Sequence, residues 1–328
     1  MNSLRLSNGV NIPYIGLGTG GKRSTPDELE NALRYAIDIG YRHIDTALMY
    51  ENEEIVGSVL ADLIHGGRVT RKDLFITTKL PPTSNRPELV EPTLRAQLNN
   101  LKMDYVDLYL IHSPVSIVPS EEAWKMYSGS SMMKQHDNVD LTKTWQSMER
   151  IYEKGLARAI GLSNFNVEQL QQIYHAAKVK PHNLQIEVHV HFPQRELHTL
   201  CTSLNISVTA YAPLGCPSKR GTGDWPQEVA IDDPTVVRLA QKYGKTPAQI
   251  LLRHLTQRQI VVIPKSTNRE RLRENFNIFD FEITAEDIDE LNSIEPRRRL
   301  YTWAGAGLET HPEYPFTEIL AGRPDKEH

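Results

Sequence analysis

Short apolar runs alternate with amphipathic stretches along nearly the whole chain. The runs fall at residues 15–18, 43–45, 74–79, 105–112, 157–163, 183–187, 207–211 and 260–264, and each has the length and character of a β-strand. Between them lie segments with apolar residues at helical spacing. The first opens with Thr25-Pro26-Asp27-Glu28, a cap, a first-turn proline and early acids, and continues through Leu29, Leu33, Ala36 and Ile37. Residues 52–64, 87–101, 141–152, 167–177, 194–204 and 234–243 read the same way. Ahead of the first strand, residues 4–13 alternate apolar and polar about Asn8-Gly9, a strong hairpin signal.

Strict alternation with near-continuous apolar strands, such as residues 105–111 and 260–263, implies a parallel sheet covered by helices. Eight such units favour closure into a (β/α)8 TIM barrel, read here as a single domain over residues 1–328. The hairpin is expected to plug the amino-terminal end of that barrel. Three features depart from the repeat. Residues 113–140, with the isolated Trp124, form a long connection expected to lie over the site. Thr246-Pro247-Ala248-Gln249 opens an extra helix before strand eight, with another following that strand, and residues 297–328 form a C-terminal loop.

Composition narrows the function classes. Lys and Arg number 37 against 41 Asp and Glu, a net charge of −4, so no global basic field exists to hold nucleic acid. No apolar stretch approaches the ~20 residues of a membrane helix. Two cysteines, Cys201 and Cys216, offer neither a disulfide framework nor a four-ligand zinc pattern, and the N-terminus lacks a leader signature, so the cytoplasm is the expected address. His189 and His191 alternate without a third ligand, and no metal is expected.

Four residues at or just after strand ends make a proton-donor assembly: Asp45, Tyr50, Lys79 and His112. A phenol has an ordinary pKa of about 10, and a nearby ammonium favours its ionised form and so eases release of the proton. Lys79 can supply that charge with Asp45 holding it, while His112 can hydrogen-bond a carbonyl oxygen and fix its position. In a (β/α)8 barrel the carboxyl ends of strands are where catalytic residues gather. The segment 263–275 after strand eight concentrates Lys265, Arg269, Arg271 and the hydroxyls of Ser266 and Thr267, where such barrels bind phosphate. Around a phosphate monoester these groups point to NADP rather than NAD. Gly16-Leu17-Gly18-Thr19-Gly20-Gly21 matches a Rossmann fingerprint in spacing, but the helix signal comes only at Thr25-Pro26, so the glycines are read as backbone approaching a ligand.

Several motifs together resemble the aldo-keto reductase superfamily, specifically its aldose-reductase and aldehyde-reductase-like branch. They are Gly40-Tyr41-Arg42-His43-Ile44-Asp45-Thr46-Ala47 with Tyr50, Asn52 and Glu53; residues 155–166 with Ile160-Gly161-Leu162-Ser163-Asn164-Phe165; and Ile263-Pro264-Lys265-Ser266 with Arg271, Glu274 and Asn275. The resemblance implies an NADPH-dependent reductase of aldehydes and ketones that prefers NADPH over NADH and acts as a monomer. It makes Tyr50 the general acid, tuned by Lys79 and Asp45, with His112 orienting the carbonyl. Ser163, Asn164 and Gln185 would hold the nicotinamide carboxamide, and Tyr211 would stack on its ring. Gly18 and Thr19 would line the cofactor, the loop 212–218 with Leu214 would cross the pyrophosphate, Lys265, Ser266, Thr267 and Arg271 would bind the 2′-phosphate, and Glu274 and Asn275 would reach the adenine.

Departures from the family pattern concern the pocket. Gly20, Pro81 and Ser113 stand where members reducing small aldehydes often carry tryptophan, which implies a wider site for bulky or hydrophobic carbonyls, a lipid-derived aldehyde or a steroid or prostanoid ketone. Ser218 stands where an acid often pins the loop over the cofactor, which implies a looser belt. Ser113, Trp303, Tyr50 and His112 are the expected substrate contacts. Two rival readings are a Schiff-base lyase using Lys79 as nucleophile and a non-enzymatic protein on the same barrel.

Overall fold

The structure is a computed structural model that describes residues 2–21, 24–119, 135–223, 225–295, 298–303 and 307–317. Strands β1 (Ser3–Arg5) and β2 (Asn11–Pro13) form the antiparallel hairpin. Eight parallel strands follow: β3 (Gly16–Gly18), β4 (His43–Asp45), β5 (Phe75–Leu80), β6 (Leu108–Ile111), β7 (Ile160–Ser163), β8 (Asn183–Glu187), β9 (Ser207–Tyr211) and β10 (Ile260–Val262), each paired with its neighbour in sequence. A parallel bridge from Ile15 to Val262, and a hydrogen bond from Gly18 N to Pro264 O of 3.2 Å, bring the last strand round to the first. The fold is the expected TIM barrel.

Helices α1 (Pro26–Ile39), α2 (Glu53–His65), α3 (Val90–Leu101), α4 (Leu141–Glu153), α5 (Val167–Ala176), α6 (Arg195–Ser203) and α7 (Pro234–Tyr243) separate the strands. The extra α8 (Pro247–Gln257) precedes β10, and α9 (Arg269–Phe276) and α10 (Ala285–Asn292) follow it. Helix starts obey local chemistry: Thr25 and Glu28 form a reciprocal capping box at α1, and Thr246 and Gln249 another at α8.

Alternation along each strand sorts side chains to two faces. Outward residues Ile44, Ile76, Tyr109, Ile111, Leu184, Ile186 and Val208 pack under the helices in the main core. Inward residues near the strand starts, Phe75, Leu108, Leu110, Ala159 and Val261, pack against Leu6 and Ile12 of the hairpin, which seals that end. Inward residues further along, Asp45, Lys79, Ser163 and Gln185, are polar and buried. The register sets them side by side, Ser163 opposite Gln185 for instance.

Strand β10 stops two residues short of the expected 260–264, and β6 and β7 are shortened more. In the latter two only Leu108–Ile111 and Ile160–Ser163 are regular, with Val106 and Ala157 joined by an isolated bridge. Asp107 explains the break: its carboxylate accepts from Ile76 N at 2.9 Å and pairs with Arg71 and Arg158, both at 2.8 Å. The predicted helix 87–101 begins instead as a 3-10 turn, Pro87–Leu89.

Candidate active site

Three strand ends and one turn converge at the carboxyl end of the barrel. Asp45 ends β4, Lys79 lies near the end of β5, and His112 follows β6. Tyr50 closes a 3-10 turn, Leu48–Tyr50, that leads into α2. Lys79 is fully buried, and its Nζ donates to Asp45 Oδ1 at 2.6 Å and to Thr46 O at 2.9 Å. The other carboxylate oxygen of Asp45 accepts from Gln185 Nε2 at 2.7 Å. The same ammonium lies 5.0 Å from the centroid of the Tyr50 ring. Tyr50 and His112 meet edge to face, with centroids 5.8 Å apart and planes at 83°.

Burial pulls the Lys79 ammonium below its ordinary pKa, and the Asp45 carboxylate opposes that pull. His112 is held well below the usual histidine value by burial first and by the Lys79 charge second. The site therefore presents a neutral imidazole and a paired ammonium beside one phenol. That is a set able to orient a carbonyl oxygen and give it a proton. Gly20 lies against the ring, where a Cβ would come within 2.9 Å of Tyr50 Cζ, so any larger residue there must move the phenol.

Some of the expected cofactor residues bond to this cluster or to its neighbours. Thr19 Oγ1 donates to Asp45 O at 3.0 Å, and Asn52 Nδ2 donates to Thr19 O at 3.0 Å. Asn164, in left-handed backbone at φ 64°, donates from Nδ2 to His112 O at 2.8 Å and accepts the Tyr211 hydroxyl at 2.8 Å. It also donates to Ser163 Oγ at 3.1 Å. Gly18 lets β3 approach the chain after β10, since a Cβ there would sit 2.7 Å from Ile263 O.

Lys265 Nζ reaches Gly21 O at 3.0 Å, bridging the loops after β10 and β3. Ser266 Oγ accepts from Asn268 N at 3.1 Å, and Asn268 caps α9 by accepting from Arg271 N at 3.0 Å. Thr267 is half-buried and Arg271 exposed at this amino end, with Glu274 and the buried Asn275 one turn on. Arg269 turns away instead, its guanidinium 5.3 Å from the ring of Tyr35 on α1. Leu214 is half-buried against the main core.

Of the expected substrate contacts, Ser113 is buried and its Oγ accepts from Val115 N at 3.1 Å, so a turn engages its hydroxyl. Trp303 packs with Val115, Ile117 and Leu308, and its ring meets that of Phe316 tilted at 55° with centroids 4.6 Å apart. Trp124 and residues 120–134 of the long connection lie outside the described residues, as do Lys22 and Arg23.

Glu187, Lys219 and Trp225 are residues near the site that the sequence did not single out. Glu187, fully buried at the end of β8, accepts from Leu300 N at 2.7 Å and Tyr301 N at 2.9 Å, fastening the tail to the barrel. Lys219, in the loop after β9, lies 4.0 Å from the Trp225 ring centroid and 4.9 Å from that of Tyr301, and Cys216 Sγ meets Tyr301 Oη at 3.2 Å. Aromatic and cation–π contacts thus tie that loop to the tail, next to the serine at position 218. His189 and His191 pair with Glu187 and Asp233 at 3.1 and 3.0 Å.

The donor set suits a dinucleotide bearing an extra phosphate. Side-chain amides and a tyrosine ring lie beside the tetrad, and ammonium, guanidinium and hydroxyl groups gather at the amino end of α9, where helix dipole and free N–H groups favour an anion.

The model of the "Aldo/keto reductase family" matches residues 14–296. Aldo-keto reductase family 1 member A1 of Gallus gallus is 41% identical over 324 residues, covering 95% of this chain and 97% of the relative. Prostaglandin F synthase 1 of Bos taurus is 40% identical, covering 96% and 97%. Among solved structures, a Bombyx mori aldo-keto reductase in complex with NADP superposes with a TM-score of 0.85 at 39% identity, over 96% of this chain and 98% of that one.

Proposed function

The chain belongs to the aldo/keto reductase family, NADP-dependent oxidoreductases, and we propose that Tyr50, Lys79, Asp45 and His112 are the groups with which it reduces a carbonyl. NADPH, when bound, supplies the hydride. Tyr50 gives its hydroxyl proton to the carbonyl oxygen, and the Lys79 ammonium offsets the negative charge left on the phenol oxygen. Asp45 fixes Lys79 and is itself fixed by Gln185. His112, neutral, hydrogen-bonds the carbonyl oxygen and sets which lone pair faces Tyr50.

Ser163, Asn164 and Gln185 hold the carboxamide. The Gln185 amide is oriented by its bond from Nε2 to Asp45. Tyr211, its hydroxyl anchored on Asn164, presents a ring face to the nicotinamide. Gly18 and Thr19 line the cofactor beside β3, and Leu214 carries the loop across its pyrophosphate. Lys265, Ser266, Thr267 and Arg271 hold the 2′-phosphate, which makes NADPH preferred over NADH, with Glu274 and Asn275 at the adenine.

The substrates proposed are bulky or hydrophobic carbonyls, lipid-derived aldehydes or steroid or prostanoid ketones, contacted by Tyr50, His112, Ser113 and Trp303. Small or glycine residues at positions 20, 81 and 113 support this reading. The chain is proposed to act as one domain over 1–328, as a monomer in the cytoplasm. No helix among the described residues is long and apolar enough to cross a membrane.

The observation that carries the assignment is the contact of one buried ammonium with Asp45 and with the face of Tyr50. Tyr50→Phe should leave NADPH binding intact while turnover of an aromatic aldehyde falls by roughly 10²–10⁴-fold; undiminished turnover defeats the assignment. A lowered Lys79 pKa is what a Schiff-base lyase also needs, but two acceptors within 2.9 Å keep its protons engaged. Borohydride with a carbonyl substrate should trap no adduct on Lys79.

A further inference from the structure

We propose that Glu53 is a positioning residue for this reaction, clamping the turn that carries Tyr50 to the strand that carries Lys79. The inference rests on the proton-donor reading of those two residues. Glu53 is the first residue of α2, three positions after Tyr50, and it is buried rather than solvated as a first-turn acid usually is. Its Oε1 accepts from Thr78 Oγ1 at 2.5 Å and from Gln97 Nε2 at 2.9 Å. Thr78 is the residue before Lys79, and Gln97 of α3 also donates to Lys79 O at 3.2 Å. Tyr109 of β6 completes the set by donating to Gln97 Oε1 at 2.8 Å.

One carboxylate oxygen of α2 thus joins α3 and β5 behind the site, and Gln97 extends the tie to β6. On the opposite side of the same turn, Asn52 accepts from Thr46 Oγ1 at 2.9 Å and donates to Thr19 O, so the phenol is held between two side-chain ties. The titratable groups facing Glu53 are Lys79 from β5 and Tyr109 from β6; α3 faces it with the neutral Gln97 and Asn100. Burial pushes the Glu53 carboxyl up to about 7, opposed by the bonds from Thr78 and Gln97 and by the Lys79 charge. Its ionisation near neutral pH alters the charge behind the ammonium that Tyr50 uses.

The test compares Glu53→Ala, Glu53→Gln and Thr78→Val with the full-length enzyme, reading kcat, KM, NADPH affinity by fluorescence quenching, and the pH profile of kcat from 5.5 to 9. The expected result is a kcat at least tenfold lower for Glu53→Ala, with NADPH affinity unchanged. Glu53→Gln should restore much of the rate while moving the near-neutral limb of the profile. Thr78→Val, which removes one donor without adding bulk, decides the matter if Glu53→Ala does not fold. Wild-type kcat and an unshifted profile in Glu53→Gln and Thr78→Val overturn the proposal. Tyr50→Phe measured in parallel separates the two failures: if it keeps turnover, the proton-donor reading itself has failed, whatever Glu53 does.

Discussion

The two ends of the barrel interior are made by the same strands and differ in everything else. On β5 the inward side chain near the start is Phe75 and near the end is Lys79; on β6 Leu108 and Leu110 give way to His112; on β7 Ala159 gives way to Ser163. The lower end is closed by Leu6 and Ile12 of the hairpin and holds apolar surface out of water. The upper end buries an ion pair and several amides, which carries a cost in desolvation that the lower end avoids. The hydrophobic surface below stabilises the frame within which an expensive polar layer can be held in place.

Breaking the upper layer should cost activity first. Lys79→Met removes the ammonium and keeps the bulk, so turnover should fall by about 10²–10⁴-fold. It should also lower stability by about 3–5 kcal/mol, because Asp45 is left buried with Gln185 as its remaining side-chain partner. Steady-state assays and urea unfolding measure both, and a variant that keeps its rate would show that the ammonium is not used.

Breaking the lower layer should do the reverse. Leu108 is almost wholly buried under the hairpin, and Leu108→Ala should reduce unfolding free energy by about 2–5 kcal/mol through lost contacts and a residual cavity. The folded enzyme should keep its kcat. If kcat falls with stability, the two ends are not mechanically separate and the contrast drawn between them fails.

Between the layers stands His43, fully buried, its Nε2 3.1 Å from Thr77 Oγ1 and its ring edge-on to Phe75 at 5.0 Å. Burial lowers its pKa to about 4. From an unfolded value of about 6.5 down to that value, the unfolded chain takes up a proton that the folded one refuses, so stability falls as pH drops through this window. By pH 5 the loss should reach about 2 kcal/mol, at about 1.36 kcal/mol per unit. His43→Gln should flatten that part of the stability curve; an unchanged slope would assign the acid sensitivity to other buried histidines such as His254, which burial takes down to about 3.

Much of this contrast is legible in the sequence. Strand count, closure and the positions of Asp45, Lys79 and His112 follow from the alternation of near-continuous apolar runs with helical segments, because packing alone rarely leaves a charged or polar residue at the buried end of an apolar run. The Thr25 and Thr246 caps are equally readable, being local in sequence. What cannot be read are pairings between distant positions. Asp107 takes a backbone N–H from β5 and shortens two strands, and nothing in its neighbours announces this. Glu53 stands in the motif around Tyr50, but its burial under α3 and β5 and its bonds to Thr78 and Gln97 are set by distant residues. Glu187 and Tyr301 are 114 residues apart and meet through a backbone N–H, which carries no side-chain signature.

The tie between the loop after β9 and the tail is the mildest element of the upper end, and removing it sharpens the comparison most finely. Lys219 lies over Trp225 and Tyr301 without either ring belonging to the proton-donor cluster. Lys219, Trp225 and Tyr301 are all half-buried, and a cation–π contact near the surface contributes about 0.5–1 kcal/mol. If the loop crosses the cofactor, Lys219→Ala should weaken NADPH binding by about two- to fivefold, an equilibrium factor of that energy. The change should appear as faster NADPH release in stopped-flow fluorescence, with the hydride-transfer step and the unfolding midpoint unchanged. A slower chemical step would mean instead that Tyr301 transmits the loop's position to Tyr211, whose ring it meets edge-on at 5.5 Å, and that the polar layer extends further than the tetrad.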